Sequence, residues 1–347
     1  MMATENDMKR ARDHREFGAL IALFAGALST GGASILVRLA ETGPTATAFW
    51  RGCIALPLLA VWALMEPGRP ESMPGRRFSV GAVTRLVSSF RDPGFLLAGV
   101  FFAGDLALWH WSLLLTSIAA STLEASLAPL VVILFAWLRW HERPSAAFMG
   151  ATVLALAGML LIVSPKFGHS GSAFLGDALG LGTACFFAAY ILAVARLRER
   201  YGTGIVMFNS TVVFTLLLLP LALTQKFLPD TLAGWAALAG CAVAAQVLGQ
   251  GLIAYALAHL RPTFSSLGLL VQTLGAATSA WLVLGERLSA IQAIGGFVII
   301  GAIALARSGR KVEESAATTA RPGRGAAPPA MAEPAAAAAD SGSVVRD

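Results

Sequence analysis

The sequence predicts an all-α membrane protein of ten transmembrane helices, built as two five-helix repeats of inverted topology. Three observations carry this. First, 56% of the 347 residues are hydrophobic and only 13% are charged, where soluble globular chains carry about 25% charged residues. Second, the mean hydropathy of +0.69 comes from ten separate apolar runs, each near the roughly 20 residues that cross about 30 Å of hydrocarbon. Third, the chain aligns with itself at a fixed offset.

The runs follow a polar, basic tail at 1–16 that holds Lys9, Arg10, Arg12 and Arg15. The first, at 17–37, is long for a signal segment and lacks a clear cleavage site, so it reads as a span. The others fall at 45–65, 93–115, 118–139, 146–164, 173–195, 204–224, 232–257, 263–284 and 288–307. Thr116 and Ser117 are the only polar break between the third and fourth, which predicts a tight hairpin. Residues 66–92 do not span. Val80, Val83, Leu86, Val87 and Phe90, with Arg77, Arg85 and Arg91 around them, give the spacing of a short amphipathic helix on the membrane surface; a solvated loop is the alternative. Residues 308–347 are rich in Ala, Pro, Ser and Gly and read as a disordered tail.

Ten spans place both termini on one side. If that side is the cytoplasm, inner loops and tails hold 21 Lys and Arg and outer loops hold 4, namely Arg38, Lys166, Lys226 and Arg287. The bias obeys the positive-inside rule. It predicts an integral protein of the bacterial inner (plasma) membrane with cytoplasmic tails at 1–16 and 308–347. The net charge of +6 is thus topological, and no basic stripe interleaved with aromatics points to nucleic acid.

Ala136-Trp137-Leu138, followed by Glu142-Arg143, lines up 144 residues later with Ala280-Trp281-Leu282, followed by Glu286-Arg287. The same offset places Trp111 on Tyr255 and Ser121 on Ser265. In the earlier parts of each half, an offset of 158 places Gly18 on Gly176, Arg38 on Arg196 and Arg51 on Asn209. Each half, 17–164 and 173–307, holds five spans, an odd number, so the second enters from the opposite side. Inverted repeats of this kind mark secondary transporters, whose halves rock about a site at their interface.

These residues carry a resemblance. Ala125-Ser126-Leu127-Ala128-Pro129-Leu130 through Ala136-Trp137-Leu138 and Glu142-Arg143 resembles the EamA-type signature of the drug/metabolite transporter superfamily. The stretch ending in Gly285-Glu286-Arg287 is similar again, as is Phe49-Trp50-Arg51. The resemblance covers about residues 17–307. It implies ten helices in two inverted repeats and transport of small organic solutes, in either direction. The second copy has Gln272-Thr273 where the first has Ala128-Pro129, so the ninth helix is expected to lack the kink of the fourth.

Ionisable groups inside a membrane cost about 2.5–3.5 kcal/mol each at a helix centre, and they are functional candidates by default. Arg51, Asp105, His110 and Glu124 are the four. Span ends place Arg51, His110 and Glu124 at one depth, about 10 Å below the outer surface, which suggests a buried Arg51–Glu124 pair. Asp105 lies deeper, with Trp109 on its face as a stacking wall. Its repeat mate is Gly249, expected to leave room for a solute. A carboxylate there suits an amine or a proton. In the second half, Asn209, Gln246, Gln250 and Gln272 offer neutral hydrogen bonds to a solute. For each of these residues the competing role is structural: a helix-to-helix hydrogen bond, a static ion pair or packing. Cys53, Cys185 and Cys241 have no metal or redox spacing and read as packing residues.

No HExxH, GxSxG or P-loop is present. The function expected is therefore secondary transport, as export, of a small organic metabolite such as an amino acid or amine, without cofactor or metal. The alternative is a channel-like or structural membrane protein without carrier activity. The partners expected are the solute, the bilayer and, if transport is coupled, the proton; a homodimer fits as well, and nucleic acid does not.

Overall fold

The computed structural model describes residues 5–66, 80–115, 124–140, 144–163, 174–285 and 289–319. The described residues form helices and short connections, with no strand among them. In chain order the helices are α1 (Glu5–Gly32), α2 (Ser34–Leu39), α3 (Pro44–Met65), α4 (Val80–Ser89), α5 (Pro93–Leu115), α6 (Ala128–Trp140), α7 (Ala146–Val163), α8 (Phe174–Arg198), α9 (Thr203–Ala222) and α10 (Leu232–Cys241). A π-helical segment (Ala242–Gln250) leads into α11 (Gly251–Leu257), followed by α12 (Pro262–Gly268), α13 (Val271–Leu284) and α14 (Ala290–Thr319).

Among the described residues, seven helical stretches are long and apolar enough to cross a membrane, and an eighth if a bent pair is counted. The bent pair joins α4 to α5 through a 70° turn. Two shorter apolar helices, Ala128–Arg139 and Ala146–Ile162, lie within the fourth and fifth runs. The count of ten spans is thus finer than what the structure fixes. The hairpin at Thr116 and Ser117, and the two Glu-Arg pairs at 142–143 and 286–287, lie outside the described residues. Helix α1 begins at Glu5 and α14 continues to Thr319. A first compact unit ends at Gly309 and a second begins at Arg310.

The amphipathic segment is a helix. In α4, Leu86 and Ser89 are buried, while Val83, Val87 and Phe90 just beyond it are exposed. Ser89 anchors it: the Asn209 amide on α9 donates to the Ser89 hydroxyl at 2.5 Å.

Within the bundle α5 packs along α8, α3 along α9 and α1 along α13. The common core holds Phe95, Phe102, Tyr190, Met207, Phe214 and Leu218. Lipid tails are as apolar as these side chains, so burial from lipid supplies no net drive. Close van der Waals contact and interhelical hydrogen bonds must hold the bundle instead. The α7–α14 crossing shows how close. A Cβ built on Gly158 would sit 2.7 Å from the Gly295 carbonyl oxygen, and one on Gly295 would sit 2.5 Å from that of Gly158. Only glycine permits this approach.

Each end of the bundle is tied by carboxylates. At one end, Glu66 closes α3 and accepts from the Thr203 and Gly204 backbone N–H groups at 2.7 and 2.9 Å, capping α9. Beside it, Tyr201 donates to Asp92 at 3.2 Å, and buried Arg198 donates through Nε to the Ala254 carbonyl at 3.0 Å and through Nη1 to the Tyr201 carbonyl. At the other end, Glu41 accepts from the Asp230 and Thr231 backbone N–H groups, both at 3.1 Å, and from the Thr231 hydroxyl at 2.8 Å. Glu41 holds φ at 58°, a left-handed conformation that costs a side-chain-bearing residue roughly 1–2 kcal/mol. Its three hydrogen bonds offset that strain.

The Thr231 hydroxyl is the main reason the Glu41 carboxyl is held below its ordinary value of 4.5, against the opposing effects of burial and the neighbouring Asp230 charge. A depressed carboxyl lends stability above its unfolded value and loses it as pH falls through the folded one. Lowering the pH from 6 to 3 is therefore expected to speed amide exchange at Asp230 and Thr231, after correction for intrinsic rates. Glu41→Gln should remove that acid-induced change. Equal protection at both pH values would mean that this carboxylate does not hold the loop.

Candidate functional site

A cavity of about 270 Å³ opens among residues of both halves of the chain. It lies just under the ~300–1,000 Å³ of drug-sized sites. The 25 residues around it come from α1, α2, α3, α5, the 125–129 segment, α8, the 241–250 stretch and the 266–276 region. Two broken helices meet there. Ser126 and Leu127 form a turn before α6, and Leu269 and Leu270 form a turn between α12 and α13. The ninth helix thus breaks without a proline, contrary to expectation. Gln272 and Thr273, just past the break, face the cavity beside Pro129 and Ala128. Interrupted helices at a central site are the arrangement in which freed backbone lines a cavity rather than lipid.

Five of the nine residues singled out in the sequence line this space: Arg51, Asp105, Trp109, Gln250 and Gln272. Three of the others, Asn209, Gln246 and Glu124, do not. Asn209 is fully buried, and its amide nitrogen donates to Ser89. The Gln246 amide donates to the Thr211 hydroxyl at 2.9 Å, a helix-to-helix bond. Glu124 turns toward α8, where its carboxyl hydrogen-bonds Asp177 and lies against Gly180. The side chain of His110 lies outside the described residues.

The expected Arg51–Glu124 ion pair is therefore replaced by a different arrangement. Equal depth does not fix rotation about a helix axis, and rotation turns Glu124 onto α8. Arg51 is instead within electrostatic reach of Asp105 and Tyr190. Its Cζ sits 5.6 Å from the Phe102 ring centre, a cation–π placement. Phe102 is itself fixed by stacking on Tyr190 at 4.4 Å and by the edge of Phe214 at 5.1 Å. Tyr190 donates to the Gln250 side-chain oxygen at 3.3 Å, which orients that amide at the cavity wall.

The room expected beside Gly249 is filled. A Cβ there would collide with Thr30 of α1, and Gly26 packs against the Gly249 carbonyl. Nearby, the Ser29 hydroxyl donates to the Ala244 carbonyl at 2.7 Å, serving an acceptor of the π segment. Such segments recur at functional sites, but composition gave no sign of this one. Sequence reading also missed the cavity hydroxyls Thr30, Thr183 and Ser266; hydroxyls are common in apolar helices and carry no signal. Cys241 lines the cavity as well, while Cys185 is exposed.

A family model described as the EamA-like transporter family matches residues 17–164 and 174–308. The chain belongs to the EamA-like transporter family. This EamA-like chain is thus an integral membrane transporter and not an enzyme. It is similar to the pseudopaline exporter CntI of Pseudomonas aeruginosa, in strain UCBPP-PA14 and in strain PAO1, with 29% identity over 217 residues in each case, covering 62% of this chain and 75% of the relative. A solved crystal structure matches with TM-score 0.64 and 18% identity, over 88% of this chain and 99% of the other, a likeness of fold.

Proposed function

We propose that this EamA-like protein is a secondary carrier that exports a small organic metabolite, an amino acid or amine, by alternating access between two inverted five-helix repeats. Ten spans and cytoplasmic termini belong to this reading, as does a proton or amine held at Asp105. The observation that carries it is the cavity between the two halves, walled by broken helices and by Arg51 and Asp105, the two charged side chains that line it among the described residues. Likeness to a pseudopaline exporter supports the direction of transport.

Counterflow in reconstituted vesicles tests the proposal. A carrier saturates and exchanges labelled for unlabelled solute, whereas a channel or a structural protein does neither. Reporters fused after Asp92 and after Lys166 should read opposite sides of the membrane in the same preparation. Linear, non-exchanging flux would overturn the carrier reading, and matching reporters would overturn the topology.

A further inference from the structure

We infer that Tyr190 is a positioning residue of the solute site: without reaching the cavity itself, it fixes which atom of Gln250, and which placement of Arg51, the walls present. The inference rests on the carrier reading above and adds to it a residue that sets selectivity from behind the wall.

Tyr190 stands on α8 and is 2% exposed. It is not among the residues that line the cavity, but two of its neighbours are. Phe102 comes from α5 in the first half, and Gln250 from the end of the π segment in the second. One buried side chain thus backs wall residues of both halves.

Its hydroxyl governs Gln250. A side-chain amide carries an oxygen acceptor and a nitrogen donor of nearly equal shape, so a free amide can turn either one toward a solute. Tyr190 removes that choice. A buried phenol needs a partner for its proton, and among the described residues the Gln250 oxygen, at 3.3 Å, is the acceptor it finds. Turned over, the amide would offer the phenol a second donor and leave the phenolic proton unpaired, which is costly in a buried site. The oxygen is therefore held at Tyr190. The Gln250 nitrogen makes no hydrogen bond among the described residues and is left as a donor at the wall.

Its ring governs Arg51. Tyr190 and Phe102 stack with ring centres 4.4 Å apart and planes at 19°, and the Arg51 guanidinium carbon lies 5.6 Å from the Phe102 ring centre. Arg51 is drawn elsewhere, because Asp105 lines the same cavity within electrostatic reach. Yet among the described residues no ion pair within 4.0 Å joins the two. Phe102 helps hold the guanidinium against that pull through its ring face, and Tyr190 holds Phe102.

Two measurements test this, and the first needs no solute. Detergent-solubilised full-length protein with 15N in its glutamine side chains should give one amide signal for each of its five glutamines. The signal lost in Gln250→Leu belongs to Gln250. Tyr190→Phe removes one oxygen and keeps the stack, and it should shift or broaden that signal well beyond the others. An unmoved Gln250 signal would overturn the tie, whatever transport shows. The second measurement is a pair of double-mutant cycles in vesicle counterflow, read with whichever of labelled phenethylamine and phenylalanine exchanges. Tyr190→Phe should raise the half-saturating concentration about 3- to 10-fold, the scale of one hydrogen bond. Combined with Gln250→Leu it should add less than about twofold, because the hydroxyl acts through that amide. Tyr190→Leu also removes the stack and should lose roughly tenfold more, a loss that persists in Gln250→Leu and disappears in Arg51→Gln. Additive losses in both cycles would make Tyr190 a general packing residue and overturn its positioning role. If neither probe shows saturable exchange while the Gln250 signal moves as expected, the carrier reading fails and the positioning of the amide stands.

Discussion

Asp105→Asn is expected to fold and insert normally and to lose about 100-fold or more in transport of its amine-bearing solute. Asparagine keeps the shape and one acceptor of aspartate but removes the charge. A structural hydrogen bond would survive the change in part; an ionic contact to an ammonium group would not. Breaking one side of a desolvated charged contact costs about 2–5 kcal/mol, which at 1.4 kcal/mol per decade spans roughly 30-fold to several thousand-fold. The variant also leaves Arg51 without its only charged neighbour at the cavity wall among the described residues. Any dependence of transport on protons taken up at this carboxylate should vanish with it. Counterflow at several pH values, in vesicles matched for protein content, reads both effects. Wild-type rates with an unchanged pH profile would return Asp105 to a structural role.

The second large effect lies far from the cavity. Gly158→Leu is expected to destabilise the protein by about 3 kcal/mol, at the upper end of the usual range for overpacking. The neighbour at this crossing is a backbone carbonyl of Gly295 rather than a side chain that can swing away. The α7 and α14 axes must separate, and with them go the contacts of Met159, Ile162 and Ile299 and the bond from the Gln292 amide to the Ile162 carbonyl at 3.2 Å. Gly295→Leu should act similarly, and the double variant should cost less than the sum because both remove one crossing. Gly150→Leu is the control, since nothing lies within 4 Å of a Cβ there, and its effect should stay within about 0.5 kcal/mol. Melting in mild detergent distinguishes them. A melting temperature for Gly158→Leu equal to that of Gly150→Leu would show that the crossing is looser than described.

Why half of the site was readable from sequence follows from cost. Arg51, Asp105, Gln250 and Gln272 stand out because polar and charged groups are rare in apolar spans. Asn209 and Gln246 carry the same signature, yet they face Ser89 and Thr211 rather than the cavity. The difference is helix rotation, which depends on crossings such as Gly26 against Gly249 that a single sequence does not reveal. The helix breaks divide similarly. Pro129 announces the first, whereas Leu269 and Leu270 look like any other apolar pair. The Glu41 tie was hidden because its partners lie about 190 residues away in an ordinary loop. The membrane-embedded helical class, by contrast, was written in composition and periodicity, which need no knowledge of how the helices turn.

The separation of Arg51 from Asp105 has a consequence for energetics across the bilayer. On the carrier reading proposed above, and with Asp105 ionised, a positive and a negative group at one site sum to zero, so the unloaded site presents no net charge to the membrane potential as the halves rock. The empty step would then escape the toll of about 2.3 kcal/mol per elementary charge at 100 mV. A lone amine or an extra proton on Asp105 would upset that balance and couple the turn of the halves to the field. In an energised membrane, holding the two charges apart but paired in number would let the empty carrier return at the same pace whatever the potential.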